Sequence, residues 1–292
     1  MNIRDIVVAK ALFGNGGGGG GAGGGGSLPA GLYLRRVATK KFSTLGRPFV
    51  FNGAIHVLQK ASDSTSDKML YIFKLEGTEF KQAAAITAQY SQSPSEASII
   101  VRNGKVHVLA YHYHFVWDGS TFVEKTKVLD TNLNNTSYAC LHNGEIYWKL
   151  VNDHKTYVWN EASDTWTVKF DNLGSGVLGQ YDAGAIFSYN GVMYCAKKVT
   201  STTTIYQVDD ETGGLEVLST SARWDRDCAV TDKGIYRVNS GYLYLNEALL
   251  GRTMSTGLYS YLVEFNGGLF VDGGQTSYTN FQQIHIIEET EG

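Results

Sequence analysis

The chain has 292 residues, 43% of them hydrophobic, which is enough for one large all-β domain or two ordinary ones and excludes a disordered chain. A net charge of -3 with 18% charged residues, and no basic cluster beyond Arg35-Arg36 and Lys40-Lys41, excludes a nucleic-acid face. No apolar stretch approaches the roughly 18 residues that cross a bilayer, so membrane insertion is not expected.

The first thirteen residues carry Ile3, Ile6, Val7, Leu12 and Phe13, with Lys10 among them, on a side spaced three and four apart. This spacing predicts a short helix, but thirteen residues are marginal alone in water, so the peptide should order only when docked to a partner. Asp5 and Lys10 interrupt the run and a glycine tract stands where a cleavage region would be, which argues against a signal peptide and keeps the chain in the cytoplasm of the cell that makes it.

Between Gly14 and Gly26, eleven of thirteen residues are glycine. Such a run has no side chains to bury and acts as a tether, reaching roughly 40 Å in a polyproline II-like form or about 20 Å as a coil. Glycine also lets several copies pack side by side, so a symmetric homo-oligomer through the stalk is expected. Gly23 to Ser27 reads like an engineered linker, but Ala22 breaks any designed repeat. The expected division is a docking peptide at 1–13, a polyglycine tether at 14–31 and a folded domain at 32–292.

Beyond the tract, 34 Gly, 18 Tyr and only 3 Pro in the whole chain, with dense β-branched residues, favour short strands and tight turns. A strand is predicted over residues 32–39. Then a motif recurs: Asn52-Gly-Ala-Ile-His56, Asn103-Gly-Lys-Val-His107, Asn143-Gly-Glu-Ile-Tyr147, Asn190-Gly-Val-Met-Tyr194 and Asn266-Gly-Gly-Leu-Phe270, with Asp232-Lys-Gly-Ile-Tyr236 as a degenerate copy. Each follows a short apolar run, so Asn-Gly sits where a two-residue hairpin turn needs positive φ. The aromatic positions step by 51, 40, 47, 42 and 34 residues, about what four short strands and their turns consume.

Third strands are predicted at 69–73, 113–117, 156–159, 205–208 and 242–245, each followed by a polar turn, and fourth strands at 121–128, 166–170 and 215–218. The last repeat lacks its fourth strand, and residues 32–39 can supply it and close a ring. The expected fold is therefore an all-β, six-bladed β-propeller, with five or seven blades as alternatives. The stretch from Tyr157 to Trp166, a tyrosine strand, an acidic turn and a tryptophan, resembles the Kelch repeat. The Kelch doublet after the second strand is matched only by Gly273-Gly274, so the resemblance is to a divergent Kelch-like propeller.

In a propeller the 2–3 and interblade loops share one face. Here they carry Tyr111, His112, Tyr113, Asp153, His154, Tyr181, Arg223, Trp224, Asp225, Tyr259 and Tyr278. Aromatics beside Asp and Arg can stack on a sugar ring and bond its hydroxyls, a reading set against the ordinary collection of polar residues in loops. His56 and His107 fill the slot of Tyr147 and Tyr194 and read as packing. His112 and His114, two apart on one strand, make either an incomplete metal site or aromatic packing. No metal or cofactor is expected. Gly174-Ser-Gly-Val-Leu-Gly179 matches a dinucleotide fingerprint without its strand-turn-helix context. Cys140, Cys195 and Cys228 lie in apolar runs without ligand spacing and read as buried small side chains.

No GxSxG, HExxH or phosphate-loop motif is present, and Ser163-Asp-Thr-Trp166 is only a fragment of the sialidase box, so no enzymatic activity is expected. The stretch from Asp5 to Leu12 followed by glycine resembles the start of structural proteins of tailed bacteriophages. That resemblance implies a virion protein assembled in the host cytoplasm, docked to other virion proteins through residues 1–13, with the propeller turned outward to a host-surface glycan or protein. The alternative is a bacterial Kelch-like carbohydrate-binding protein or propeller enzyme with an incidental glycine tract.

Overall fold

The computed structural model describes residues 31–39, 46–60, 69–87, 97–110, 112–128, 137–150, 155–171, 173, 185–199, 202–222, 228–239, 242–246, 248–252, 260–273 and 280–287. The expected helix at 1–13 and the tract at 14–26 lie outside them. Among the described residues there are twenty-four strands and no helix.

β1 (Gly31–Thr39) comes first, followed by β2 (Arg47–Phe51), β3 (Ala54–Lys60), β4 (Met69–Glu76) and β5 (Glu79–Thr87). The next four are β6 (Ser98–Arg102), β7 (Lys105–Ala110), β8 (Tyr113–Trp117) and β9 (Phe122–Glu124), then β10 (Ser137–His142), β11 (Glu145–Leu150), β12 (Thr156–Asn160) and β13 (Thr165–Phe170). After these run β14 (Ala185–Tyr189), β15 (Val192–Val199), β16 (Thr202–Val208) and β17 (Leu215–Ala222), then β18 (Ala229–Thr231), β19 (Gly234–Asn239), β20 (Tyr242–Leu245) and β21 (Ala248–Arg252). The last are β22 (Ser260–Phe265), β23 (Gly268–Gly273) and β24 (Asn280–Ile287).

Four sheets of four strands each follow chain order, and one sheet has eight strands in the order β2-β3-β4-β5-β1-β24-β23-β22. The expectation of six separate four-stranded sheets thus meets four separate ones and a fifth in which two such groups are joined. The joint is a single parallel bridge, Thr39 to Glu79. First strands pack on first strands, β2 against β6 and β22, β10 against β6 and β14, and β18 against β22, so the sheets radiate from a common axis as a β-propeller. The expected closing strand is present: β1 pairs antiparallel with β24 from Gly31–Ile287 to Thr39–Asn280.

Local chemistry explains the repeat. Asn52, Asn103, Asn143, Asn190 and Asn266 have φ between 47° and 51°, and each following glycine is also left-handed, as a type I′ turn requires. The degenerate copy is built differently. At the β18–β19 turn the Thr231 hydroxyl accepts the Lys233 N–H and donates to the Gly234 carbonyl, and the Asn246 carboxamide oxygen accepts the Ile235 N–H. The third-to-fourth turns use one device in three successive sheets, an Asp or Asn oxygen accepting two backbone N–H groups ahead of it: Asp118 from Ser120 and Thr121, Asn160 from Ala162 and Ser163, Asp209 from Glu211 and Thr212.

The core lies between sheets. Alternation along each first strand sends one face to the next sheet: Phe49 and Phe51 pack with Val106, Val108 and Trp117, and Tyr138 and Cys140 with Ile186, Met193 and Cys195. Trp148 is fully buried among Ile100, Leu109 and Trp159, with its ring 5.1 Å from Trp166. Burying such a side chain contributes about 2–3 kcal/mol.

Candidate functional site

The slot two residues before each hairpin turn holds Val50, Val101, Leu141, Ser188, Val230 and Glu264. In β2, β18 and β22 this slot, as Val50, Val230 and Glu264, lines a cavity of about 280 Å³ on the axis, together with Arg47, Ile99 and Cys228. Of the slot residues, Val101, Leu141 and Val230 are exposed, 37 to 43%, and the cavity wall mixes aliphatic side chains with Arg47 and Glu264. The Glu264 carboxylate accepts the Gly267 N–H at 2.6 Å. Arg47 stacks its guanidinium 4.5 Å from the Tyr261 ring.

Where β23 packs against β2, a fully buried carboxylate, Asp272, accepts the Gly46 backbone N–H at 2.9 Å and the Gln59 carboxamide at 3.5 Å. A second polar cluster links β10 to the neighbouring sheet. His142 is buried; its Nδ1 is 2.9 Å from the Ser188 hydroxyl, and its Nε2 is 3.0 Å from an Asp210 carboxylate oxygen and 3.1 Å from the Asn143 amide nitrogen. The Tyr147 ring meets His142 edge-on at 5.6 Å. Burial pushes the Tyr147 hydroxyl up to about 12, with Glu145 and Asp210 adding to it. These polar constellations are composed across sheets, which is why no linear motif announces them.

Of the loop-face residues expected to bind a ligand, His112 and Tyr113 are described. Both are buried, with ring centroids 4.2 Å apart and the Lys127 ammonium 4.5 Å from the Tyr113 ring. Tyr111, Asp153, His154, Tyr181, Arg223, Trp224, Asp225, Tyr259 and Tyr278 lie outside the described residues, as do the docking residues Ile3, Ile6, Val7, Lys10, Leu12 and Phe13, and the glycine fingerprint at 174–179.

The histidines divide as their slots suggest. His56 stacks on Phe49 at 5.4 Å. His114 turns from His112 to His107, with Nδ1 of His107 2.9 Å from Nε2 of His114, and stands edge-on to Trp159 and Trp166. No group of three metal-ligating side chains occurs among the described residues. Burial lowers His107 to about 4, against a raising effect of Glu161 and lowering effects of Arg102, Lys105 and Lys125; burial, then His107 and Lys125, lowers His114 to about 3. Both rings are therefore neutral when folded and ionise more readily when unfolded. Their contribution is fully present above the unfolded pKa near 6.5 and declines as pH falls from there toward 4 and 3, by up to about 1.4 kcal/mol per pH unit for each ring. Denaturant midpoints at pH 7 and pH 5 check this, and His114→Phe should flatten the difference.

Cys140 and Cys195 are buried, and burial raises both thiols, Cys195 to about 11. Cys228 is half-buried and lines the axial cavity. Native iodoacetamide labelling at pH 8 should add at most one carbamidomethyl group, at Cys228, and unfolding should expose three, counted by intact mass.

No family model matches the chain, and no curated protein matches it. Solved structures do. A protein assigned as a gluconolactonase shares 12% identity, with a TM-score of 0.53 over 89% of this chain and 93% of its own. The Staphylococcus aureus virginiamycin B lyase shares 8%, with a TM-score of 0.52 over 88% of this chain and 100% of its own. A streptogramin B lyase shares 8%, with a TM-score of 0.55 over 88% and 98%. At these identities the likeness is one of fold. It corrects the expectation of a chain without enzymatic activity: structures named for enzymes share this propeller along nearly their whole length, so missing sequence signatures do not remove the fold from catalysis. The chain has the all-β propeller fold.

Proposed function

We infer that this is a six-bladed, Kelch-like propeller displayed on the particle of a tailed bacteriophage, docked through residues 1–13, tethered by the glycine tract and turned toward a host-surface glycan or protein. The supporting observation is the position of β1. It is the strand farthest from the axis in its half of the eight-stranded sheet, so the chain joins the propeller at the rim, at Gly31, five residues after the tract ends. A tether attached there holds the domain by its edge and leaves the axis to a ligand. The six-blade count rests on reading the eight-stranded sheet as two blades touching at the Thr39–Glu79 bridge. Deleting residues 1–13 should leave a soluble propeller that is absent from purified particles; unchanged incorporation, measured by mass spectrometry of the particles, would sink the reading.

The second reading is a propeller enzyme with an incidental glycine tract. The likeness to a gluconolactonase and two lyases favours it. Turnover assays of the full chain on glycans and lactones separate the two, since reproducible product formation supports the enzyme and saturable binding without product supports display.

A further inference from the structure

We propose that Ser188, His142 and Asp210 form a nucleophile, base and positioning acid that cleave small esters on the inner strand of their sheet. The Ser188 hydroxyl lies 2.9 Å from His142 Nδ1, and His142 Nε2 lies 3.0 Å from Asp210 Oδ2, within the reach that activates a serine. The Asn143 amide nitrogen lies 3.1 Å from Nε2 and, being a donor, makes no hydrogen bond to the ring in the tautomer that donates Nε2–H to Asp210. With Nε2–H donating to the carboxylate, Nδ1 carries the lone pair that receives the serine proton. The two nitrogens are used in the opposite sense to the familiar serine proteases, but the roles of the three groups are the same.

Three features distinguish Ser188 from an ordinary interface hydroxyl. It occupies the slot that lines the axial cavity in β2, β18 and β22, and it is half-buried rather than sealed. Val50 and Val230, in the same slot, line the cavity beside Arg47 and Glu264, a mixed wall that suits a small ester with both polar and hydrocarbon parts. Its own N–H is also placed for the developing oxyanion. Tyr189 and Val192 close the two-residue turn as the hydrogen-bonded pair, so the Ser188–Met193 pair exchanges no ladder bonds and the Ser188 N–H points away from β15.

In the reaction, Ser188 Oγ adds to the ester carbonyl carbon while its proton passes to His142 Nδ1. The bond to the alkoxide breaks as Nδ1 returns that proton, releasing the alcohol and leaving acyl-Ser188. Water then adds to the acyl carbon, giving a proton to Nδ1. The carbon–Oγ bond breaks, the acid leaves and Oγ recovers its proton. Asp210 accepts from Nε2–H throughout and holds the tautomer. Ester and water become acid and alcohol, with no other reactant. The inference stands apart from particle docking.

The test uses the full chain with a fluorophosphonate probe and p-nitrophenyl butyrate. Peptide mapping should place a single phosphonyl group on Ser188. Ser188→Ala, with unchanged circular dichroism, should lose at least about 100-fold in ester hydrolysis. Asp210→Asn should lower kcat with KM unchanged, which a purely structural hydrogen bond would not do. Absence of an adduct on Ser188 in the folded wild-type chain, or equal hydrolysis by Ser188→Ala, overturns the proposal and leaves the cluster as a brace between sheets.

Discussion

Removing residues 1–39 should abolish cooperative folding, whereas removing residues 1–30 should leave the thermal midpoint within about 2 °C of the full chain, because only the first truncation takes away a strand. β1 supplies the outer partner of β24 from Gly31 to Thr39. It buries Leu32 against Leu269 and Ile284, and Ala38 against Phe281. Without it, β24 becomes an open edge over exposed apolar residues, the condition under which sheets aggregate. Losing eight paired residues and two buried side chains costs on the order of 5 kcal/mol or more, comparable with the whole stability of many domains. Circular dichroism melts and size-exclusion profiles of the two truncated chains check the prediction. A folded, monodisperse chain without residues 1–39 would remove β1 from the account of ring closure.

Asp272→Ala is the point substitution with the largest expected effect, a loss of about 3 kcal/mol and a thermal midpoint lower by roughly 6–12 °C. The carboxylate is fully buried and receives the Gly46 N–H from the neighbouring strand group, 226 residues away in sequence. Truncation leaves that N–H and the Gln59 amide with one acceptor fewer in a place water does not reach. The site cannot relax by moving Gly46 inward, since a Cβ at position 46 would already fall within contact of Val57 and Gln59. Gly46→Val should therefore destabilise as well. Asp272→Asn, which keeps an oxygen, should lose less. Equal melting of all three variants and the wild type would show that ring closure does not depend on this contact.

Much of this architecture was legible because each sheet repeats one local decision. Asn-Gly demands a left-handed pair, and five of the six hairpins place Asn and Gly there. The third strands at 113–117 and 242–245 coincide with β8 and β20, where Gly119 and Asn246 mark the following turn. β16 starts earlier than the predicted 205–208, because Thr202 pairs through backbone whatever its side chain. β5 and β21 escaped altogether. Glu79-Phe-Lys-Gln and Ala248-Leu-Leu lie farthest from the axis, exposed or half-buried on both faces, so neither carries the alternation that marks a half-buried strand. β9 is shorter than residues 121–128 implied, although Lys125 and Val128 still donate backbone bonds back to His114 and His112.

The chemistry was less legible than the fold, and for a different reason. His142, Ser188 and Asp210 are 46 and 22 residues apart in sequence, and only the apposition of neighbouring sheets brings them within 3 Å. His142 could have been noticed as the one histidine directly before an Asn-Gly pair, a position that elsewhere holds Phe51, Arg102, Tyr189 and Phe265. Asp272 gave no signal, being the single acid in the stretch Leu269-Phe-Val-Asp272. Its role depends on a partner 226 residues away.

Carriage of this propeller on a particle, as proposed, is measured by quantitative mass spectrometry of phage particles purified through a density gradient from cells producing the full chain. The protein should travel with the particles at a fixed copy number per virion, one that matches the symmetry of its proposed docking partner. Its recovery only in the soluble fraction, with none in the particle band, would contradict it.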